Sequence, residues 1–267
     1  MATTIAATPG PSSATPVTEP LPPLPQILGP LQRRPPAGGA RREWVTATVV
    51  GLRDETARMR TFVLRLPTPL LHVPGQHLTV RLTAPDGYAA QRSYSIASAP
   101  GGELELMVER LEDGEVSAYL HHELRVGDPL EVRGPFGGWF VWNGRSPVLL
   151  VGGGSGVVPL MSMLRHWRST GAAVPLRLVV SVRSRDELAF ADDYGDETTV
   201  VYSRLTPADW PRAAGRLTAR DLQPVLVPDA TAYVCGSSGF AEHASQLLVD
   251  LGVPAGSIRV ERYGPTA

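Results

Sequence analysis

Two short stretches of the chain carry residue types with chemistry to offer. The first is Arg92-Ser93-Tyr94-Ser95, which follows a strand-like run, HLTVRL, at 77–82. A cation, a ring and two hydroxyls on one extended segment suit either an exposed sheet edge or a surface that meets an anionic, planar molecule. The second is Gly152-Gly153-Gly154-Ser155-Gly156-Val157-Val158-Pro159, set between an apolar run and a helix-periodic stretch. Glycines let backbone amides approach a pyrophosphate, and a helix N-terminus adds positive potential. A ligand-free glycine turn has the same composition; the strand–turn–helix setting favours a nucleotide. Pro159 stands where the usual dinucleotide fingerprint has its third glycine, and it suits a first helical turn because its missing N–H would be unpaired anyway.

The elements around these stretches change character midway. From Trp44 to Arg133 the signals are short and strand-like: WVTATVV, TFVLRL, HLTVRL, ELELMV and PLEVR, separated by Gly, Pro or Asp. About six such strands predict a small antiparallel barrel, with a helix over 115–124 (EVSAYLHHEL) capping it. After Pro147 continuous apolar runs (PVLLV, LRLVVSV, TTVVY, ATAYVC) alternate with helical segments such as FAEHASQLLVDL. That alternation predicts an open parallel α/β sheet. The expected organisation is 1–42 as a disordered, Pro-rich segment, 43–142 as the barrel domain and 143–267 as the α/β nucleotide-binding domain. Ten of the 26 prolines precede Arg41, which is the basis for the first of these.

Composition narrows the classes. At 267 residues with 43% hydrophobic content the chain has room for about two domains and a substantial core. The 25 basic residues, all arginine, nearly balance 26 acidic ones, so nothing points to nucleic acid or an anionic membrane surface. The single cysteine, Cys235, excludes a disulfide or a four-cysteine metal site within the chain and fits a reducing compartment. The N-terminus lacks a basic region followed by an apolar one, and no apolar run reaches membrane-spanning length. A cytoplasmic protein without membrane insertion is expected. His121, His122 and Glu123 are expected at the surface and not at a metal, since adjacent helical side chains diverge. Trp139, Phe140 and Trp142 are read as packing between barrel and neighbour.

Taken together, several motifs resemble those of the ferredoxin–NADP reductase superfamily, over residues 42–266. The glycine turn resembles its GGxGxxP nicotinamide-nucleotide loop, and Arg92, Tyr94 and Ser95 resemble its RxYS flavin signature. Gly114 to Ser117 resembles its second flavin element, RGPFGGWF the turn out of the barrel, and VCGSSGF and ERYGPT its last two motifs. The resemblance implies a flavin-binding barrel followed by an NAD(P)-binding domain, and hydride transfer from nicotinamide to flavin. It assigns Arg92 to a flavin phosphate, with Ser93 beside it, Tyr94 to the ring and ribityl chain, and Ser95 to a hydrogen bond near the flavin. Gly114, Val116 and Ser117 would hold phosphates. Gly153, Gly154, Ser155, Gly156 and Pro159 would form the nicotinamide-nucleotide loop. Cys235 and Gly236 would line the transfer site, and Glu261 would be an acid beside the flavin, with a salt bridge to Arg262 as its alternative. Because the chain continues past Tyr263, that residue is not expected to serve as a terminal stacking ring.

FAD is expected in preference to FMN. Ser203 and Arg204, at the end of the third α/β strand, with Arg183 and Arg216 adding charge, favour NADPH over NADH; Asp186 and Glu187 argue the other way. The implied acceptor is a separate protein, a ferredoxin or an oxygenase component. A non-catalytic electron-transfer subunit and a free-flavin reductase remain as alternatives.

Overall fold

The computed structural model describes residues 43–263. The expectation for 1–42, and the Gly264–Thr266 part of the terminal motif, lie outside the described residues.

Six antiparallel strands come first: β1 Val45–Asp54, β2 Met59–Arg65, β3 His77–Thr83, β4 Ala89–Ser95, β5 Leu104–Glu109 and β6 Pro129–Phe136. Their order is β4-β3-β6-β1-β2-β5, and a bridge between Ile96 and Leu106 brings the end of β4 back to β5. Alternation makes the inside: Ala47 and Val49, Phe62 and Leu64, Leu78 and Val80, Leu130 and Val132 are all buried together. Helix α1, Glu115–His122, adds Val116 and Leu120 to the same core. Its four-residue spacing presents one apolar stripe to the barrel.

The remaining strands, β7 Val148–Gly153, β8 Leu176–Val182, β9 Thr198–Tyr202, β10 Thr231–Ser237 and β11 Ile258–Tyr263, are parallel and ordered β11-β10-β7-β8-β9. The run Val148-Leu149-Leu150-Val151 is apolar throughout because both faces are covered. Val148 and Leu150 face helix α2, Val158–Thr170, packing with Leu160, Met161 and Leu164. Leu149 and Val151 join the core on the other side, under Leu222 of α3, Ala219–Leu222, and Ala241, Ala244 and Leu248 of α4, Ser238–Asp250. Gly171, at φ 60°, ends α2 in a left-handed cap that favours glycine.

The strand order sets the position of the site. The chain moves outward from β7 to β9, then returns to the other side of β7 for β10. The crevice beyond the C-terminal ends of β7 and β10 is where open parallel sheets bind ligands. Barrel and α/β sheet share one buried cluster: Met59, Ala97, Met107, Phe140 and Trp142 pack with residues of α2 and β7. Tyr233 adds a hydroxyl bond to Val141 O at 2.6 Å. Trp139 departs from the packing role expected of it. It is 55% exposed, and its carbonyl accepts from Arg259, whose guanidinium lies 5.4 Å from the ring.

Candidate functional site

On the barrel side, β4 supplies the first set. Ser93 pairs with Thr79, Tyr94 with Leu78, and Ser95 with His77 across β3. Arg92 is exposed; it donates to Gln91 O at 2.8 Å and has no carboxylate partner among the described residues. Tyr94 is half-buried against the barrel core, and that burial pushes its phenol up to about 12. It therefore stays protonated at any working pH.

Near them α1 begins at Gly114. The amides of Glu115, Val116 and Ser117 belong to the first turn and lack intrahelical acceptors, so an anion is favoured there. Ser117 departs in detail from the expected role. Its hydroxyl donates to Gly114 O at 3.1 Å and accepts from Leu111 N at 3.2 Å. It builds the turn, which leaves the first-turn amides as the groups open to an anion. A methyl group at Gly114 would sit 2.3 Å from that hydroxyl, so the turn requires glycine.

On the α/β side, Gly154–Val157 forms a short 3-10 turn between β7 and α2. Gly156 packs against the end of β10: a Cβ there would lie 2.2 Å from Cys235 O. A Cβ at Gly153 would run into the Phe240 ring at 2.6 Å. Gly154 has a left-handed φ of 56° and open space where a side chain would be. Ser155 is half-buried in the turn, whereas Pro159 is buried in the first turn of α2.

Cys235 and Gly236 lie within β10, and Cys235 pairs directly with Glu261 on β11. Tyr263, two residues on, shares the Glu261 face. Glu261 forms no salt bridge with Arg262; its Oε2 is buried without a hydrogen-bond partner, and burial pushes its carboxyl up to about 7. Burial likewise drives the Cys235 thiol upward, so it is a poor nucleophile. The Tyr263 hydroxyl is also buried. Cys235 and Ser95 lie alongside it, but neither meets it in ordinary hydrogen-bond geometry. Tyr263 is the residue that sequence reasoning set aside. Its ring sits at the junction of the two sheets although the chain runs on beyond it, and its spacing from Glu261 was the available signal.

The residues expected from the sequence to discriminate between nucleotides lie at and beyond the ends of β8 and β9. Arg204 N and Leu205 N both donate to Arg183 O at 3.0 Å, and Ser203 N donates to Val182 O at 2.8 Å. Arg183 makes a loose, exposed ion pair with Glu187 at 3.7 Å; Arg204 is exposed and has no carboxylate partner among the described residues. Arg216 lies on the following segment, where the carbonyl accepts from Arg212 at 2.8 Å. His121 is not at the surface as expected. It is half-buried, bonded to Val108 O at 2.9 Å and edge-on to Phe62.

A flavin and a nicotinamide nucleotide fit this arrangement. First-turn amides and an unpaired guanidinium suit phosphates on the barrel side, and a glycine turn with open space suits them on the other. Between the two, Glu261 Oε2 and the Tyr263 hydroxyl are buried polar atoms without partners, which a polar planar ring system would satisfy.

Comparison with known proteins agrees with this geometry. Residues 47–141 match the oxidoreductase FAD-binding domain family, and 150–246 match the oxidoreductase NAD-binding domain family. The reductase component of the naphthalene 1,2-dioxygenase/salicylate 5-hydroxylase systems of Ralstonia sp. is 31% identical, over 83% of this chain and 70% of that protein. The glycine betaine monooxygenase reductase subunit of Chromohalobacter salexigens is 33% identical, over 80% of this chain and 62% of that protein. Flavohemoproteins also match, including that of Deinococcus radiodurans at 31% identity, of which this chain spans 52%. The FAD/NAD-binding domain of the nitric oxide dioxygenase from Vibrio cholerae superposes with a TM-score of 0.74 at 27% identity, covering 83% of this chain and 99% of that domain. Among the described residues no helix is long and apolar enough to cross a membrane. The chain belongs to the ferredoxin–NADP reductase superfamily, the oxidoreductases that pair an FAD-binding barrel with an NAD-binding α/β domain.

Proposed function

We propose that the chain draws electrons from NADPH, with NADH as the slower donor, and passes them through bound FAD to a separate protein such as a ferredoxin or an oxygenase component. The observation that carries this reading is the convergence of Ser95 from the barrel with Cys235, Glu261 and Tyr263 from the α/β sheet. The relatives that are reductase components of oxygenase systems support an acceptor on another protein. A cytoplasmic setting fits a sequence whose single cysteine is buried.

When bound, the flavin and nicotinamide rings supply the hydride-transfer chemistry themselves. The chain binds, orients and keeps water out. Arg92 and the amides of Glu115 to Ser117 would hold the flavin phosphates, with Ser93 beside them and Tyr94 against the ring system. The amides of Gly153 to Gly156 would hold the nicotinamide nucleotide. Cys235 presents a neutral thiol as a wall of the site. Glu261, poised near neutrality by burial, can hold or release a proton at Oε2. Tyr263 covers the junction from solvent. Preference for NADPH rests on Ser203 and the unpaired Arg204 next to Arg183, which suit a 2′-phosphate better than a free hydroxyl.

A visible spectrum of the purified protein, followed by anaerobic mixing with each nucleotide, tests this. The expected result is an oxidised-flavin spectrum that NADPH bleaches faster than NADH. Faster bleaching by NADH overturns the nucleotide preference and leaves the enzyme class standing. A colourless protein that neither FAD nor FMN reconstitutes overturns the reading as a whole.

A further inference from the structure

The two halves of the site sit on different sheets, so something must fix the separation between Ser95 and the glycine turn. Apolar packing alone is a weak device for this, because it is non-directional and tolerates sliding. The junction also carries directional bonds, and one charge-assisted set of them lies on one face of α2.

Ser162 is fully buried on α2, and its hydroxyl donates to Ser98 O at 2.7 Å. Three residues on, on the same face, Arg165 donates to Ala97 O at 3.1 Å and to Glu105 Oε2 at 2.8 Å. Its other nitrogen donates to Asp193 Oδ2 at 2.5 Å. Ala97 and Ser98 are the second and third residues after Ser95. At the opposite end, α2 follows directly on the 3-10 turn that contains Gly154 and Gly156. The helix is thus a strut: its start carries the nucleotide turn, and its flank is bonded to the backbone immediately past the flavin-facing strand.

The network closes on itself. Arg53 bonds Glu105 at 3.3 Å and Glu55 at 2.9 Å, and Glu55 accepts from Phe190 N at 3.2 Å. Phe190 is buried in a left-handed conformation at φ 59°, uncommon for a bulky residue, and Arg165 lies 5.0 Å from its ring. Asp193 N bonds back to Phe190 O at 2.9 Å. A backbone held in that conformation indicates that its surroundings over-determine it.

We infer that Ser162 and Arg165 are positioning residues, which hold the nucleotide turn at the separation from Ser95 at which the two rings meet. The inference rests on the proposed reading of the site as a flavin and nicotinamide crevice. Neither residue touches a reacting atom. The effect is therefore on ring geometry and not on affinity, and misplacement by about 1 Å is worth on the order of 100-fold in rate.

Arg168 provides an internal control. It lies on the same helix and carries a comparable ion pair, to Glu197 Oε1 at 2.5 Å, with a bond to Asp193 O at 2.6 Å; it thus shares Asp193 with Arg165 but makes no bond to the barrel, so it isolates the barrel link as the variable. In full-length protein loaded with FAD, R165Q is expected to lower the rate of flavin reduction at saturating NADPH by about 100-fold. Its dissociation constant for NADP+ stays within about twofold, R168Q leaves the rate alone, and R165K restores part of it. In flavin-free protein, amide exchange across 95–99 and 188–194 rises about tenfold in R165Q, the loss expected of one charge-assisted bond. If R165Q does not fold, S162A carries the test, with an expected fall in rate of about tenfold. A reduction rate in the folded variant within threefold of wild type, or an equal fall in R168Q, overturns the inference. A wild-type protein that neither NADPH nor NADH reduces overturns the functional reading beneath it, and the inference with it.

Discussion

Strand β4 of the barrel and the glycine turn after β7 reach the same crevice by opposite means. The strand contributes side chains: Arg92 projects from it into solvent, and Tyr94 leans half-buried on the core. The turn contributes backbone, because at Gly153 and Gly156 the space a side chain would need is filled by Phe240 and by Cys235 O. A site made of side chains can lose affinity without losing fold. A site made of close backbone approach cannot, because the contact that presents the amides also holds β10 against the turn. Each half should therefore fail differently under substitution.

Gly156→Ala is the strongest way to break that contrast. A methyl group 2.2 Å from Cys235 O and 2.7 Å from Gly236 Cα meets the backbone of β10, and neither β10 nor the 3-10 turn that carries Gly156 can yield without disturbing the buried sheet. Overpacking of this kind costs about 3 kcal/mol. The expected outcome is an unfolding free energy lowered by that amount, together with loss of NADPH-dependent bleaching, while the barrel still retains FAD. A stable G156A protein with normal nucleotide binding would mean that the turn is not built on close approach.

Glu261 lies between the two modes, a side chain whose chemistry is set by burial. Desolvation raises its carboxyl to about 7 from an ordinary 4.5. The folded state then holds a proton that the unfolded chain releases, so the contribution of Glu261 to stability is greatest below pH 4.5 and is lost as pH rises through 7. The difference is at most about 3 kcal/mol. Glu261→Gln keeps the shape and removes the titration. The stability of wild type relative to E261Q, from urea melts at pH 4.5 and pH 8, is expected to fall by about 2–3 kcal/mol across that interval. A flat difference would place Glu261 in contact with water or a cation.

How much of this was legible in the sequence depends on how each feature is encoded. The barrel strands and the buried strands of the second sheet were readable because alternation and continuous apolar runs are local. β11 was not, since IRVERY mixes charges with apolar residues on an edge strand paired on one side only. Helix α1 stops at His122, two residues short of the expected end, where Glu123 takes the cap. RxYS and the glycine turn were legible as motifs, but that the Ser117 hydroxyl also builds its own turn was not. Exposure of Trp139 and burial of Tyr263 depend on where two sheets meet, which no local pattern records. The tie between Arg165 and Ala97 O spans 68 positions, and Arg165 is one of 25 arginines.

Arg92 sharpens the comparison from the barrel side, where the expected effect on the fold is smallest. Its guanidinium is exposed and makes no ion pair among the described residues, and its one hydrogen bond is to the adjacent Gln91 carbonyl. Arg92→Ala should therefore leave the stability of the flavin-free protein within about 0.5 kcal/mol of wild type. A charge-assisted bond to phosphate is worth about 1.5–3 kcal/mol, so FAD affinity should fall by roughly 10- to 100-fold, as read by fluorescence titration of apoprotein. FMN affinity distinguishes which phosphate is held. An equal fall for FMN assigns Arg92 to the phosphate the two flavins share, and a fall for FAD alone assigns it to the second. Loss of stability without loss of flavin would reverse the contrast, making β4 the structural half of the crevice and the glycine turn the adaptable one.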